Sequence, residues 1–339
     1  TATLTVENEA RTRRMLIDGS KDTQRASSWA DAVLFLSDSA PRDDERAFIA
    51  ELGMTPLTTV GVLSRADSFG PGAFGLEDPL EVANRYAGRI GEQLGASVGV
   101  VVPLSGLLAE SALTGRVNGA LARDLAALAS LDREQLIDFI EFADPSRVVE
   151  GFNAAQRDEL LDVMGEYGLV YGRSVAAEHG PGGLLQWMRQ TSGIDRLTEI
   201  ITQSMPYYAT LQRAVRIVDA LESLANQPEI RDHVLWVQSV LQSQPQMNDV
   251  MLYRSFKNTV ADSPDSRLIP QLRAVIQGAT PAQKVGMPAD APAERVTVAL
   301  RQELAELREL AMTPLSAAED DAREHLIVAY QAAWKQLNT

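Results

Sequence analysis

Two hydrophobic rhythms divide this chain. In the first hundred or so residues, short continuous apolar runs at 32–36, 58–63 and 98–102 alternate with stretches of helical periodicity. The runs are rich in β-branched and aromatic residues and bounded by polar or turn residues. Such a pattern predicts strands buried on both faces rather than strands with one wet face. A fourth strand is expected at 14–17, whereas the apolar run at 4–6 is short for one. Helices are expected at 42–52 and 79–94, the second opened by Asp78 as N-cap and Pro79 at the first helical position. Strands alternating with helices predict a parallel sheet.

Beyond Gly106 the strand rhythm stops. Apolar residues then recur every three or four positions, as in Leu197, Ile200, Ile201, Met205, Tyr208, Leu211, Val215 and Val218. Leu300, Leu304, Leu307 and Ala311 form a second stripe, and Ala322, Leu326, Ala329, Ala333 and Leu337 a third. These are the expected core-facing sides of bundle helices. Gly and Pro punctuate them at 144–145, 180–183, 227–228 and 263–264, and more densely across 278–292, which reads as a loop or hinge. The expected fold class is therefore α/β with a partial parallel sheet, residues 1–117, followed by an all-helical bundle or stalk, residues 118–339.

Composition narrows the function. The chain has no cysteine, so disulfides and thiolate metal sites are excluded, and a cytoplasmic setting is expected. Its three histidines, His179, His233 and His325, are far apart and lack metal-ligand spacing. A net charge of −15 disfavours binding to nucleic acid and docking on a membrane by charge alone. Acidic runs such as Asp43-Asp44-Glu45 and Glu319-Asp320-Asp321 suit the first turns of helices, where the helix dipole favours them.

The sharpest chemistry follows the strand at 58–63, where the chain reads Ser64-Arg65-Ala66-Asp67. A carboxylate just past a buried parallel strand, two residues after a long cation, matches the base-reading motif of GTPases. Asp67 would accept from the ring N–H and the exocyclic amine of guanine. Adenine offers neither donor there and would leave the carboxylate unpaired. The Arg65 stem would lie over the base and Ser64 would hold the turn. The carboxyl ends of parallel strands are where ligands bind in such sheets. Ser105-Gly106, after the next strand, would close the base pocket through a hydroxyl and backbone N–H groups. The same residues also suit a plain strand-to-loop turn with a solvated Arg65 and Asp67, and a plain helix N-cap at Ser105.

Taken in order, Val60 to Asp67, Val101 to Leu108, Glu159 to Gly168, Thr191 to Leu197 and Leu211 to Leu224 resemble bacterial dynamin-like proteins of the mycobacterial isoniazid-inducible (Ini) type. The resemblance spans roughly 13–230. It implies a GTPase head with helical bundle and stalk regions, GTP or GDP and Mg²⁺ as ligands, and remodelling of the cytoplasmic membrane from its inner face. It also implies assembly with itself or with a related dynamin-like protein.

One part of that family pattern is missing. No phosphate-binding loop G-x-x-x-x-G-K-[ST] occurs, and no lysine follows a glycine anywhere. Asp18 fits the family's indirect Mg²⁺ contact, but Lys21 stands where that motif has glycine. The strand feeding the phosphate loop should lie mid-sheet, between the strands at 14–17 and 32–36. Either residues outside this sequence supply it, or the chain is a non-catalytic pseudo-GTPase that acts as an interaction scaffold. An unrelated α/β enzyme is the third possibility. For lipid contact the candidates are Leu184, Leu185, Trp187 and Met188, directly after the Gly180–Gly183 turn signal. Packing into the bundle is the competing reading.

Overall fold

A computed structural model describes residues 3–7, 13–17 and 30–338. They form two compact units, each assembled from separate stretches. One holds residues 34–46 and 59–205. The other holds the described residues up to Val33, then 47–58 and 206 onward.

The first unit is built on a three-stranded sheet of β3 (Val33–Ser37), β4 (Thr59–Ser64) and β5 (Val100–Leu104), in the order β3-β4-β5. β4 and β5 run parallel, with Val60 opposite Val100 and Ser64 opposite Leu104. Central β4 is buried from Thr59 to Leu63 and emerges only at Ser64, as its unbroken apolar run requires. Helix Pro79–Gln93 begins as its sequence predicts. Asp78 Oδ1 accepts the Leu80 N–H at 2.8 Å, and Pro79 needs no partner for an absent N–H. The helix buries Leu80, Ala83, Ala87 and Ile90, one stripe along its length.

The expected strand at 14–17 forms, as β2 (Arg13–Ile17), but not in this sheet. It pairs antiparallel with β1 (Thr3–Glu7), Thr3 opposite Ile17, in a separate two-stranded ribbon. A partner so close in sequence closes a small loop at low entropic cost. Among the described residues the parallel sheet thus has three strands where four were expected.

The unit boundary also differs from 117/118. Helices Gly106–Leu113 and Gly119–Ala127 pack on Ala154–Ser192, burying Leu108, Leu121, Leu125, Leu160, Met164 and Leu169, so the helices up to Met205 belong with the sheet. The 39 residues of Ala154–Ser192 are not one rod. Gly165 (φ 63°, ψ 178°) and Gly180 (φ 62°, ψ −164°) interrupt it in conformations that favour glycine. Beyond Gly180 the chain doubles back, and a Cβ on Gly172 would lie 3.0 Å from the Trp187 ring and 3.4 Å from Leu184.

In the second unit most of the predicted stripe positions are core, although Ala311 is exposed and Leu304, Ala329 and Leu337 are half-buried at its edge. Leu211, Val215, Leu300, Leu307, Ala322, Leu326 and Ala333 are buried with Tyr253, Phe256, Leu272 and Tyr330. The Tyr253 hydroxyl lies 2.9 Å from Thr55 Oγ1 and donates to Gln212 Oε1 at 3.1 Å, so its polar end is satisfied inside that core. Part of the expected loop at 278–292 is a short helix, Pro281–Lys284, opened by a reciprocal Thr280–Gln283 cap. Among the described residues, no helix is long and apolar enough to cross a membrane.

Candidate functional site

The exit of β4 is shaped by three consecutive residues. Ser64 Oγ donates to the Ser37 carbonyl at 3.0 Å, tying the end of the central strand to the end of β3. Arg65 then takes a left-handed backbone (φ 55°, ψ 36°), the one positive φ outside glycine among the described residues. For a residue with a Cβ this costs about 1–2 kcal/mol. Such strain concentrates where a fold must aim a group rather than merely turn a corner. The turn starts the 3₁₀ segment Ala66–Ser68, buries Ala66 and leaves the Arg65 side chain exposed. The Ser68 N–H and hydroxyl donate to the Arg65 carbonyl at 3.0 and 3.2 Å, bracing the strained residue.

Asp67 stands in this turn, half-buried. Among the described residues its carboxylate has no hydrogen-bond or ion-pair partner. A half-buried anion that satisfies nothing in the protein is unusual, because its lost hydration is not replaced.

Beside it lies an aromatic cluster that sequence patterns did not single out. Tyr167 is buried, its ring stacked on Tyr171 (centroids 4.6 Å apart) and parallel to Trp187 (6.1 Å, 4°). Its hydroxyl donates to Asp78 Oδ2 at 3.2 Å. Burial, above all, raises the Tyr167 pKa well beyond the ordinary tyrosine range; the charge of Asp78, the hydrogen bond to it and the charge of Asp67 add to the effect. Tyr171 is raised as well, again first by burial. The spacing of Tyr167 and Tyr171, one helical turn apart, was the available signal. Phe69, just past the 3₁₀ turn, packs on Tyr86 at 4.9 Å, and Tyr86 accepts the Ala40 N–H at 3.2 Å.

The end of β5 departs from expectation. Ser105 is fully buried. Its N–H donates to the Ser192 carbonyl at 2.9 Å, and its hydroxyl caps helix Gly106–Leu113 by accepting from Leu108 N–H at 3.3 Å. Its N–H and its hydroxyl oxygen are thus engaged within the protein, as the plain N-cap reading of Ser105 has it. Gly106 is exposed at the first helical position, where a backbone N–H has no intrahelical acceptor.

The lipid-contact candidates are corrected by packing. Leu184 and Met188 have 0% exposure, and Trp187 is half-buried against Tyr167. With Leu185 also half-buried, the fold-back at Gly180 turns this segment onto the helix before it, so it does not present an apolar tip. Asp18, the indirect Mg²⁺ candidate, lies outside the described residues.

The site therefore combines a partnerless carboxylate, an exposed guanidinium on a strained turn and an exposed backbone N–H after the neighbouring strand. Together these can recognise the edge of a planar ligand that presents adjacent N–H donors. No family model, no curated protein and no solved structure matches the chain.

Proposed function

We propose that this chain reads a guanine nucleotide at the carboxyl end of β4, as the base-recognising part of a dynamin-like GTPase whose helical region couples nucleotide state to remodelling of a membrane. The observation that carries the proposal is Asp67, half-buried and partnerless beside the left-handed Arg65 at the exit of the central strand. Two parallel N–H donors from guanine would satisfy both carboxylate oxygens. Adenine would leave them desolvated and unpaired, which is costly for a charged group. Arg65, exposed beside it, supplies an apolar stem to cover the base.

Asp67 and Arg65 supply the group types a guanine base needs, whereas the sequence lacks the family's phosphate-binding loop. With no Gly-Lys pair in the sequence there is no amide cradle and lysine of the family kind, so no hydrolytic step is derived for these residues. That same observation favours a second reading, a pseudo-GTPase that binds or displays nucleotide without turnover and serves as a scaffold.

Ligand-observed NMR with GDP and ADP tests the proposal. A preference for GDP that Asp67→Ala abolishes is expected. Equal binding of ADP by the unaltered protein would overturn it. GDP binding without GTP turnover would favour the scaffold reading.

A further inference from the structure

An open groove of about 370 Å³ runs between helices Ala293–Leu310 and Ala317–Leu337, lined by Arg301, Leu304, Arg308, Gln331, Trp334 and Lys335. Three of these six side chains are cations, in a chain of net charge −15. The Arg301 guanidinium lies over the Trp334 ring, 4.9 Å from its centroid. Stacking fixes the plane of the guanidinium and leaves its N–H edges available to an anion. Arg308 is seven residues on, which places it on the same helix face about 10 Å along the axis. Lys335 closes the groove from the other helix.

Four other arginines in this unit are held in ion pairs. Arg213 and Arg216 meet Asp31, Arg254 meets Asp219 and Glu222, and Arg323 meets Asp320. Among the described residues, neither Arg301 nor Arg308 has a carboxylate partner. Two glutamates on their own helix are held elsewhere. Glu303 accepts from Gln271 at 2.6 Å and Glu306 from Gln302 at 3.0 Å.

We infer that this groove binds a phosphate ester carrying two or more negative charges, such as a diphosphate or a multiply phosphorylated headgroup. A single carboxylate would neutralise Arg301 or Arg308 and leave the other. Phosphate oxygens match the arginine fork in pairs and can bridge several cations. Leu304 and Trp334 supply an apolar wall for the organic part, and the volume falls near the lower end of small-molecule sites, about 300–1,000 Å³. The inference is independent of base reading at Asp67, because neither the residues nor the chemistry is shared.

Calorimetric titration of the full chain with pyrophosphate and inositol hexakisphosphate, without metal, tests it, because neither probe carries a base. Phosphatidylcholine vesicles with and without phosphatidylinositol bisphosphate separate a free phosphate ester from a lipid headgroup. Binding in either arm is expected, weakened at least tenfold by Arg301→Gln with Arg308→Gln. Arg295→Gln, on the same helix outside the groove, should leave it unchanged. Circular dichroism of each variant shows whether the fold survives, and Arg308→Gln alone, which breaks no ion pair, should still weaken binding. Absence of binding in both arms, binding indifferent to these variants, or equally tight binding of polyglutamate would overturn the inference.

Discussion

The Tyr167 hydroxyl donates to Asp78 Oδ2 at 3.2 Å, while Asp78 Oδ1 accepts the Leu80 N–H at 2.8 Å. One carboxylate thus joins the start of helix Pro79–Gln93 to the helical hairpin folded at Gly180. Tyr167→Phe keeps the stacked ring and removes only the hydroxyl, so a loss of about 1 kcal/mol is expected. The same residue adds an alkaline limit. Burial first, then Asp78, raises the Tyr167 pKa above its ordinary 10.0. Tyr207 is likewise pushed up to about 12, by burial and then Asp249. A raised folded-state pKa gives stability that is complete below the unfolded value and is lost as pH rises past it. Denaturant midpoints should therefore hold to about pH 10 and fall above it, less steeply in Tyr167→Phe. A midpoint flat to pH 11 would contradict this.

Gly193 provides a sharper test of how the end of β5 is held. It is left-handed (φ 83°), and a Cβ there would lie 2.3 Å from the Pro103 carbonyl oxygen. Gly193→Ala is expected to cost about 2 kcal/mol or more, combining strain at positive φ with a clash against backbone. The adjacent Ser105 N–H to Ser192 carbonyl bond should open, visible as faster hydrogen exchange at Ser105. A variant as stable as the unaltered protein would contradict this.

Burial of Leu184 distinguishes packing from lipid contact. Leu184→Ala should destabilise by about 2–5 kcal/mol, the range for emptying a core leucine site. Co-sedimentation with vesicles should not depend on it while the protein is folded. Normal stability combined with lost vesicle binding would restore the membrane reading of this segment.

Much of the scaffold was legible in the sequence. The runs at 32–36, 58–63 and 98–102 became β3, β4 and β5, but only central β4 is covered on both faces as its pattern predicts; β3 leaves Leu36 63% exposed and β5 fully buries only Val102. The Asp78-Pro79 start was legible because capping is local chemistry. The pairing of β2 with β1 was not, since periodicity marks a strand without naming its partner. Nor did the stripes near 184–188 reveal which side they face; that is decided by the positive φ at Gly180, which no hydrophobic pattern encodes. At the site, Ser64, Arg65 and Asp67 lie together at the β4 exit, whereas Ser105 is withdrawn by a bond to Ser192, a partner 87 positions away. The Tyr167–Trp187 contact depends on the same long-range fold-back and was invisible for the same reason, whereas the spacing of Tyr167 and Tyr171 was legible.

The central claim is that Asp67 accepts two hydrogen bonds from a guanine edge, and its most direct test is Asp67→Asn. The substitution preserves shape but replaces one acceptor with an N–H₂ donor. Guanine's exocyclic amine would then meet a donor, whereas xanthine presents a carbonyl at that position. Relative affinities of the variant and the unaltered protein for GDP and xanthosine diphosphate give the answer. The account predicts that preference inverts, with GDP favoured by Asp67 and xanthosine diphosphate by the asparagine. An unchanged ratio of the two affinities would contradict it.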